Sequence, residues 1–278
     1  MPRSELTAPR PGEIRKRDLK LQDKSALVSG STKGIGLAVA TLLAAEGARV
    51  IVNGRTEAAV NEAMTGIRSA APKAKLDGFA GDLSASEPTA ELVRHFPAVD
   101  ILVNNLGIFE RKPFEQIADE DWQRFFDINV MSGVRLSRAY LPGMKARNWG
   151  RIVFISSESG MQIPPDMIHY GMTKTAQLAI SRGLAETCAG TAVTVNAVLP
   201  GPTLTHGNKA AIARRTPGKA LAEVEKEFFQ IHRPTSLLKR YATLEEVASV
   251  VAYVCSPLSS ATNGAALRVD GGVIKACF

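Results

Sequence analysis

Apolar positions along the chain come in two alternating textures. Short continuous runs, Ala26-Leu27-Val28, Val50-Ile51-Val52, Ile101-Leu102-Val103 and Ile152 to Ile155, read as strands buried on both faces. Phe79-Ala80, Ala192 to Val198 and Ala266 to Val269 complete a set of about seven strands. Between them lie stretches with helical periodicity: Gly34 to Glu46, ended by Gly47, then Thr56 to Ser69, Asp119 to Met144 with Pro142 near its end, Tyr170 to Glu186, and Leu244 to Cys255. Alternation of buried strands with helices predicts a parallel sheet covered on both sides, and right-handed crossovers make it doubly wound. The expected fold class is therefore α/β, one Rossmann-like domain over 19–278. Residues 1–18 carry Pro2, Pro9 and Pro11 without periodicity and read as a flexible basic arm. In such sheets ligands bind beyond the carboxyl ends of the strands, so the chemistry should follow each strand directly.

Directly after the first strand comes Ser29-Gly30-Ser31-Thr32-Lys33-Gly34-Ile35-Gly36. A strand, a glycine turn and a helix start make an anion site, because unpaired N–H groups and the helix dipole face a phosphate. The G-x-x-x-G-x-G spacing differs from G-x-G-x-x-G and is not a Walker motif; its position after the first strand favours a dinucleotide over a plain structural turn. About 20 residues on, where an enzyme for NAD(H) would carry an acid, the chain reads Asn53-Gly54-Arg55. Arg55 offers a fork of donors and a fixed charge to a 2′-phosphate, with Lys33 as a second cation. NADP(H) is thus preferred and NAD(H) remains possible, with Glu57 weighing for the latter. Tyr170 and Lys174 are four apart on one helix face, and an ammonium one turn away favours a phenolate. Ser156-Ser157 follows the fifth strand, so both elements open at the same sheet edge.

Composition narrows the alternatives. The 278 residues hold 34 Lys+Arg against 27 Asp+Glu, a net charge of +7. Residues 1–20 supply +3 and residues 206–240 supply +5, so the rest of the chain is nearly neutral. Neither segment has zinc-finger spacing or interleaved aromatics, which argues against nucleic acid. Three cysteines without C-x-x-C and four scattered histidines suggest neither disulfides nor a metal site. No apolar run is long enough for a membrane span, and no signal-peptide pattern is present, so a cytoplasmic protein is expected.

Taken in order, Ser-Gly-x-x-x-Gly-x-Gly at 29–36, Asn104-Asn105-Leu106-Gly107, Asn129, Ser157, Tyr170-x-x-x-Lys174, Pro200-Gly201 and Val269-Asp270-Gly271-Gly272 resemble the short-chain dehydrogenase/reductase family over about 19–273. The resemblance implies Tyr170 as general acid or base, Ser157 as donor to the substrate oxygen, Lys174 on the nicotinamide ribose while depressing the Tyr170 pKa, and Asn129 in a proton relay. It further implies cofactor contacts from Asp82 and Leu83, from Asn104, Asn105 and Gly107, and from Pro200, Gly201, Thr203 and Thr205. Ser29 stands where threonine is usual, and Leu106 replaces an alanine beside the cofactor. Glu158 and His169 flank the catalytic residues; they read as supporting or exposed groups in preference to an extra acid–base pair. The stretch 203–236 would be a lid over the substrate, in which Arg214, Arg215 or Arg233 either holds an anionic substrate or lies on a solvated face. Three functions follow: interconversion of a ketone or aldehyde with an alcohol, reduction of a 3-oxoacyl thioester, or NADP(H) sensing without turnover. By the same resemblance a homo-oligomer, dimer or tetramer, is expected.

Overall fold

The computed structural model describes residues 18–277 except 206, 208, 210, 211, 213 and 215. The expected N-terminal arm, apart from Asp18, and Arg215 lie outside the described residues. The seven strands are β1 (Ser25–Val28), β2 (Arg49–Gly54), β3 (Lys75–Ala80), β4 (Ile101–Asn104), β5 (Gly150–Ile155), β6 (Val193–Pro200) and β7 (Ala266–Val269). They form one parallel sheet in the order 3-2-1-4-5-6-7. The order reverses between β1 and β4, so the connections from these two strands leave toward opposite faces and open a crevice at their carboxyl ends. Val28 pairs with Val103, Asn104 with Phe154 and Ile155 with Val198. That register brings the segments after β1, β4, β5 and β6 to one edge.

Two core clusters sandwich the sheet. On one face α1 (Gly34–Ala45) packs beside the helix Leu244–Cys255, with Val39, Leu43, Val247 and Val251 fully buried against Val28 and Val50. That late helix starts at a capping box, Thr243 with Glu246, which contributes about 1 kcal/mol. On the other face lie α3 (Ser86–His95), α5 (Ser132–Ala146) and α6 (Ile168–Thr187), burying Leu92, Leu136, Met144 and Ala185 over Leu27, Leu102 and Ile152. α2 (Glu57–Ala70) covers β2 and β3, capped by Thr56 Oγ1.

Two differences from the periodicity have physical causes. α3 has a polar first turn with Pro88 and few apolar positions, so hydrophobic spacing alone does not mark it. The long helix expected over 119–144 is interrupted: α4 (Asp119–Phe126) passes into one π-helical segment, Asp127–Met131, before α5. No Pro or Gly lies in that segment, and Pro142 sits inside α5 without ending it. Single π turns often mark functional positions, and Asn129 sits in the middle of this one.

Candidate active site

The glycine loop is braced from behind and open in front. Gly30 takes φ +61° and donates to Asn53 Oδ1 at 2.9 Å; Ser31 and Asn53 exchange two further bonds, N to O at 2.8 Å and N to Oγ at 2.9 Å. A Cβ on Gly36 would stand 2.4 Å from Asn105 Nδ2 and 2.7 Å from the Gly30 carbonyl, so glycine alone fits. Asn105 Nδ2 in turn donates to the carbonyls of Ser29 (2.9 Å) and Gly30 (3.0 Å). Ser29 keeps the structural function of a hydroxyl there, accepting from the N–H groups of Asn105 and Leu106 at 3.0 and 3.1 Å. Leu106 packs against Gly30, within 3.3 Å of where a Cβ would be. The first turn of α1 has no side-chain cap at Lys33. Its N–H groups therefore face the crevice as an anion cradle of the kind a dinucleotide pyrophosphate fits.

Asn53 spends its carboxamide internally, its Nδ2 donating to Phe79 and Gly81 carbonyls at 3.2 and 3.1 Å. Arg55 and Lys33 are exposed, and neither side chain takes part in a hydrogen bond or ion pair among the described residues. Glu57 is the first residue of α2, where a helix N-terminus favours an acid. Asp82 is exposed and accepts from Ser84 N and Oγ at 3.0 and 2.7 Å. Leu83 has its side chain in the core and can offer a ligand only backbone. Asn104 is likewise buried, donating to Ser137 Oγ of α5 at 3.1 Å while its Oδ1 has no partner. Beyond β6, a Cβ on Gly201 would meet the Asp270 backbone at 2.7 Å. Thr203 donates to the Gly201 carbonyl, and Thr205 reaches back to Gly34, its Cγ2 within 3.6 Å of a Cβ there.

The reacting groups meet after β4 and β5. Ser156 and Ser157 point apart, as neighbours leaving a strand do: Ser156 Oγ donates to the Lys174 carbonyl at 2.9 Å, and Ser157 faces the crevice. Tyr170 lies over Ser157 with its ring edge-on to Phe109 at 6.3 Å, and Lys174 Nζ stands 5.6 Å from the ring centroid. Lys174 Nζ donates to the Ile155 carbonyl at 2.9 Å and to Gln177 Oε1 at 3.3 Å. Asn129 Oδ1 accepts from Ile108 N at 2.7 Å, and its Nδ2 donates to Ile108 O and Thr173 Oγ1, both at 3.0 Å. The Asn129 carbonyl accepts from Gln177 Nε2 at 2.5 Å. A Cβ on Gly107 would stand 3.5 Å from Lys174 Nζ, which puts the loop after β4 beside this cluster.

Burial dominates the electrostatics. It lowers the Lys174 pKa to about 7 and pushes Tyr170 well above the ordinary phenol range. The neighbouring Ser157 hydroxyl pulls Tyr170 back, the Glu158 charge pushes it up and Arg233 pulls it down. The direction is the reverse of the lowering expected from Lys174. Gln177 was not foreseen, although it lies three residues beyond Lys174 on the same helix face. Glu158 is buried, not exposed: Ser157 Oγ donates to its Oε2 at 2.5 Å, and Arg233 to its Oε1 from Nε (3.0 Å) and Nη2 (2.9 Å). Arg233 is thus neither on a solvated face nor free for an anionic substrate. Of the other cations in 203–236, Lys219 pairs with Glu227 at 2.7 Å, and Arg214 is exposed. His169 is fully buried between Phe125 (4.1 Å) and Trp122 (6.1 Å), with neither ring nitrogen hydrogen-bonded.

A cavity of about 760 Å³ runs from Ile35 and Thr205 at the glycine loop past Ser157 and Tyr170 to Phe228 and Tyr241 under the helix Leu221–Ile231. Among the described residues no cluster suits a metal ion, and no helix is long and apolar enough to cross a membrane.

Comparison with known proteins agrees with this layout. The family profile described as enoyl-(acyl carrier protein) reductase matches residues 30–274. The chain is 50% identical to the uncharacterized oxidoreductase YvaG of Bacillus subtilis over 262 residues, 94% of this chain and 99% of that one. It is 31% identical to D-beta-hydroxybutyrate dehydrogenase of Cupriavidus necator over 258 residues, 91% of this chain and 98% of the other. Among solved structures, L-sorbose reductase from Gluconobacter frateurii, complexed with NADPH and L-sorbose, superimposes with a TM-score of 0.86 at 31% identity, covering 94% of this chain and all of that one. Sheet order, glycine loop and serine–tyrosine–lysine cluster converge with these likenesses: the chain belongs to the short-chain dehydrogenase/reductase family and is an oxidoreductase acting on CH–OH groups.

Proposed function

We propose that this protein interconverts a small ketone or aldehyde with the corresponding alcohol, using NADP(H), with Tyr170 as general acid in reduction and general base in oxidation. The observation that carries the reading is the continuous cavity that runs from Ile35, in the uncapped first turn of α1, to Ser157 and Tyr170. A bound nicotinamide would supply or accept the hydride, and this chain's residues do the rest. The α1 N-terminus would hold a pyrophosphate. Arg55 and Lys33, free of protein partners among the described residues, suit a 2′-phosphate, which favours NADP(H). The NADPH in the sorbose reductase supports the same choice.

Ser157 and Tyr170 converge on the site of the substrate oxygen, where a donor stabilises developing negative charge. Burial lowers the Lys174 pKa to about 7; a Tyr170 phenolate beside it would favour its charged form, and its Nζ would donate to the ribose of a bound cofactor. Asn129 is bonded to Thr173 on Tyr170's helix, and Gln177 links Asn129 to Lys174.

Following NADPH absorbance against a panel of ketones, aldehydes and acyl thioesters tests the reading. Tyr170→Phe should abolish turnover, more than about 1000-fold, while NADPH binding stays within about threefold. Retained turnover in Tyr170→Phe refutes the assigned mechanism, and turnover confined to acyl thioesters replaces the substrate class.

A further inference from the structure

Glu158 is left without a task by the chemistry just described. It follows Ser157 directly, opens a one-turn helix, Glu158–Gly160, and is only 4% exposed; Arg233 is 8% exposed. Two donors of one guanidinium end on one carboxylate oxygen, and the other oxygen takes the Ser157 hydroxyl. Removing two charges from water is costly, and a buried pair of this kind is often no more stable than well-packed apolar residues. Fold stability therefore does not explain why the pair sits beside the reacting serine.

Arg233 arrives from 75 residues away, two positions after the helix α7 (Leu221–Ile231) that roofs the cavity. Its Nη1 donates to the His232 carbonyl at 2.8 Å, and its own carbonyl accepts from Ser236 N at 3.1 Å. Just beyond, Thr235 Oγ1 donates to Val273 O at 2.6 Å, and Leu237 N to Gly271 O at 2.8 Å. Arg233 thus sits at the junction between α7 and a segment bonded to residues 271–273.

We propose that Glu158 and Arg233 are a positioning pair that ties the root of the lid to the hydroxyl of Ser157, so that seating of the lid sets how Ser157 meets the substrate oxygen. A serine hydroxyl has one hydrogen and a free rotor. The Glu158 carboxylate takes that one hydrogen and Arg233 fixes the carboxylate, so Ser157 donates to a substrate oxygen only by turning off Glu158, and the hold of Arg233 on Glu158 sets how readily it turns. Ser159 N also donates to Ser157 Oγ at 3.1 Å, which leaves little freedom once Glu158 is in place. The inference rests on the proposed roles of Ser157 and Tyr170 for its kinetic consequences, but not for the link between lid and serine loop.

The groups facing Tyr170 give the kinetics a signature. Glu158 stands on the β5 side, Arg233 on the lid side and Lys174 on its own helix; Arg111 paired to Asp166 at 2.7 Å and His232 line the same cavity. Glu158 holds the Tyr170 proton on and Arg233 draws it off.

Glu158→Gln, Arg233→Met and the double variant are to be made in the full chain and compared with wild type by two measurements. Amide hydrogen exchange over 221–236 needs no substrate. Each single variant should exchange about tenfold faster there, and the double variant no faster than the worse single, because the two residues act as one unit. In alcohol oxidation, kcat should fall about 10- to 100-fold with the KM for NADP unchanged. The acidic limb of its pH profile should move down in Glu158→Gln and up in Arg233→Met. A contact that is merely structural would slow both variants without moving the limbs in opposite directions. Arg233→Lys, which keeps the charge but not the fork, should lie between, and serves if either single variant fails to fold. Wild-type exchange with unmoved limbs overturns the proposal. Retained turnover in Tyr170→Phe would instead overturn the catalytic reading while leaving the exchange result standing.

Discussion

Replacing Gln177 by leucine asks whether the link between Lys174 and the π segment matters. The side chain is 2% exposed, and leucine fills nearly the same volume. The change removes a 2.5 Å bond to the Asn129 carbonyl and a 3.3 Å bond from the Lys174 ammonium. Loss of a short bond to a helical carbonyl costs about 1–2 kcal/mol, and a long bond to a charged donor adds about 1.5 kcal/mol. Extra apolar burial returns about 1 kcal/mol, and a water in the gap would return part of the rest. The net loss is about 2 kcal/mol. In a chain this long, 1 kcal/mol shifts the melting temperature by about 2 °C, so a fall of about 4 °C is expected. Calorimetry measures it directly. Because Lys174 would keep only the Ile155 carbonyl, activity should fall as well, at constant substrate and cofactor concentrations. A melting temperature within about 1 °C of wild type would refute the reasoning, since it would mean that neither bond contributes in the folded state.

Lys174 has a folded pKa of about 7 against 10.5 unfolded, so between these values the unfolded chain holds more protons and stability rises with pH. Without nucleotide, the stability of wild type relative to Lys174→Met should therefore increase from pH 7 to 9, as read by chemical denaturation; a flat difference contradicts it. The buried Cys255 and Tyr140, both pushed up to about 12, oppose the trend in either protein once their unfolded counterparts ionise, and cancel in the difference. Arg55→Asp should lower the ratio of kcat/KM for NADPH over NADH by about 10- to 100-fold, the range of one or two charge-assisted bonds at an exposed site. An unchanged ratio would exclude Arg55 from 2′-phosphate recognition.

The separation of these effects follows from the fold. Substitutions around Gln177 and Lys174 act where water is excluded, so hydrogen bonds and desolvation decide them. Arg55 is exposed, where only the charge of a ligand would give it a task. Tests at Gln177 and at Arg55 are therefore independent, as expected for sites without shared contacts.

The sequence by itself determined the strand set, the parallel doubly wound sheet and the edge at which Gly30 to Gly36, Ser157 and Tyr170 meet. These are properties of local pattern: short apolar runs alternating with helical periodicity read as internal strands, and ligands of such a sheet bind beyond their carboxyl ends. Tyr170 and Lys174 were legible for the same reason, since helical spacing fixes their common face. Tertiary structure alone decided what burial does to charge. Lys33 and Arg233 are both basic in the sequence, yet one is exposed and the other is enclosed with Glu158, because the lid root folds back 75 residues along the chain. The π turn at Asn129, the bond from Gln177 to its carbonyl and the raised Tyr170 pKa likewise depend on which elements close over the site. No local pattern encodes that closure, because desolvation is a property of everything packed around a group and not of its neighbours in sequence.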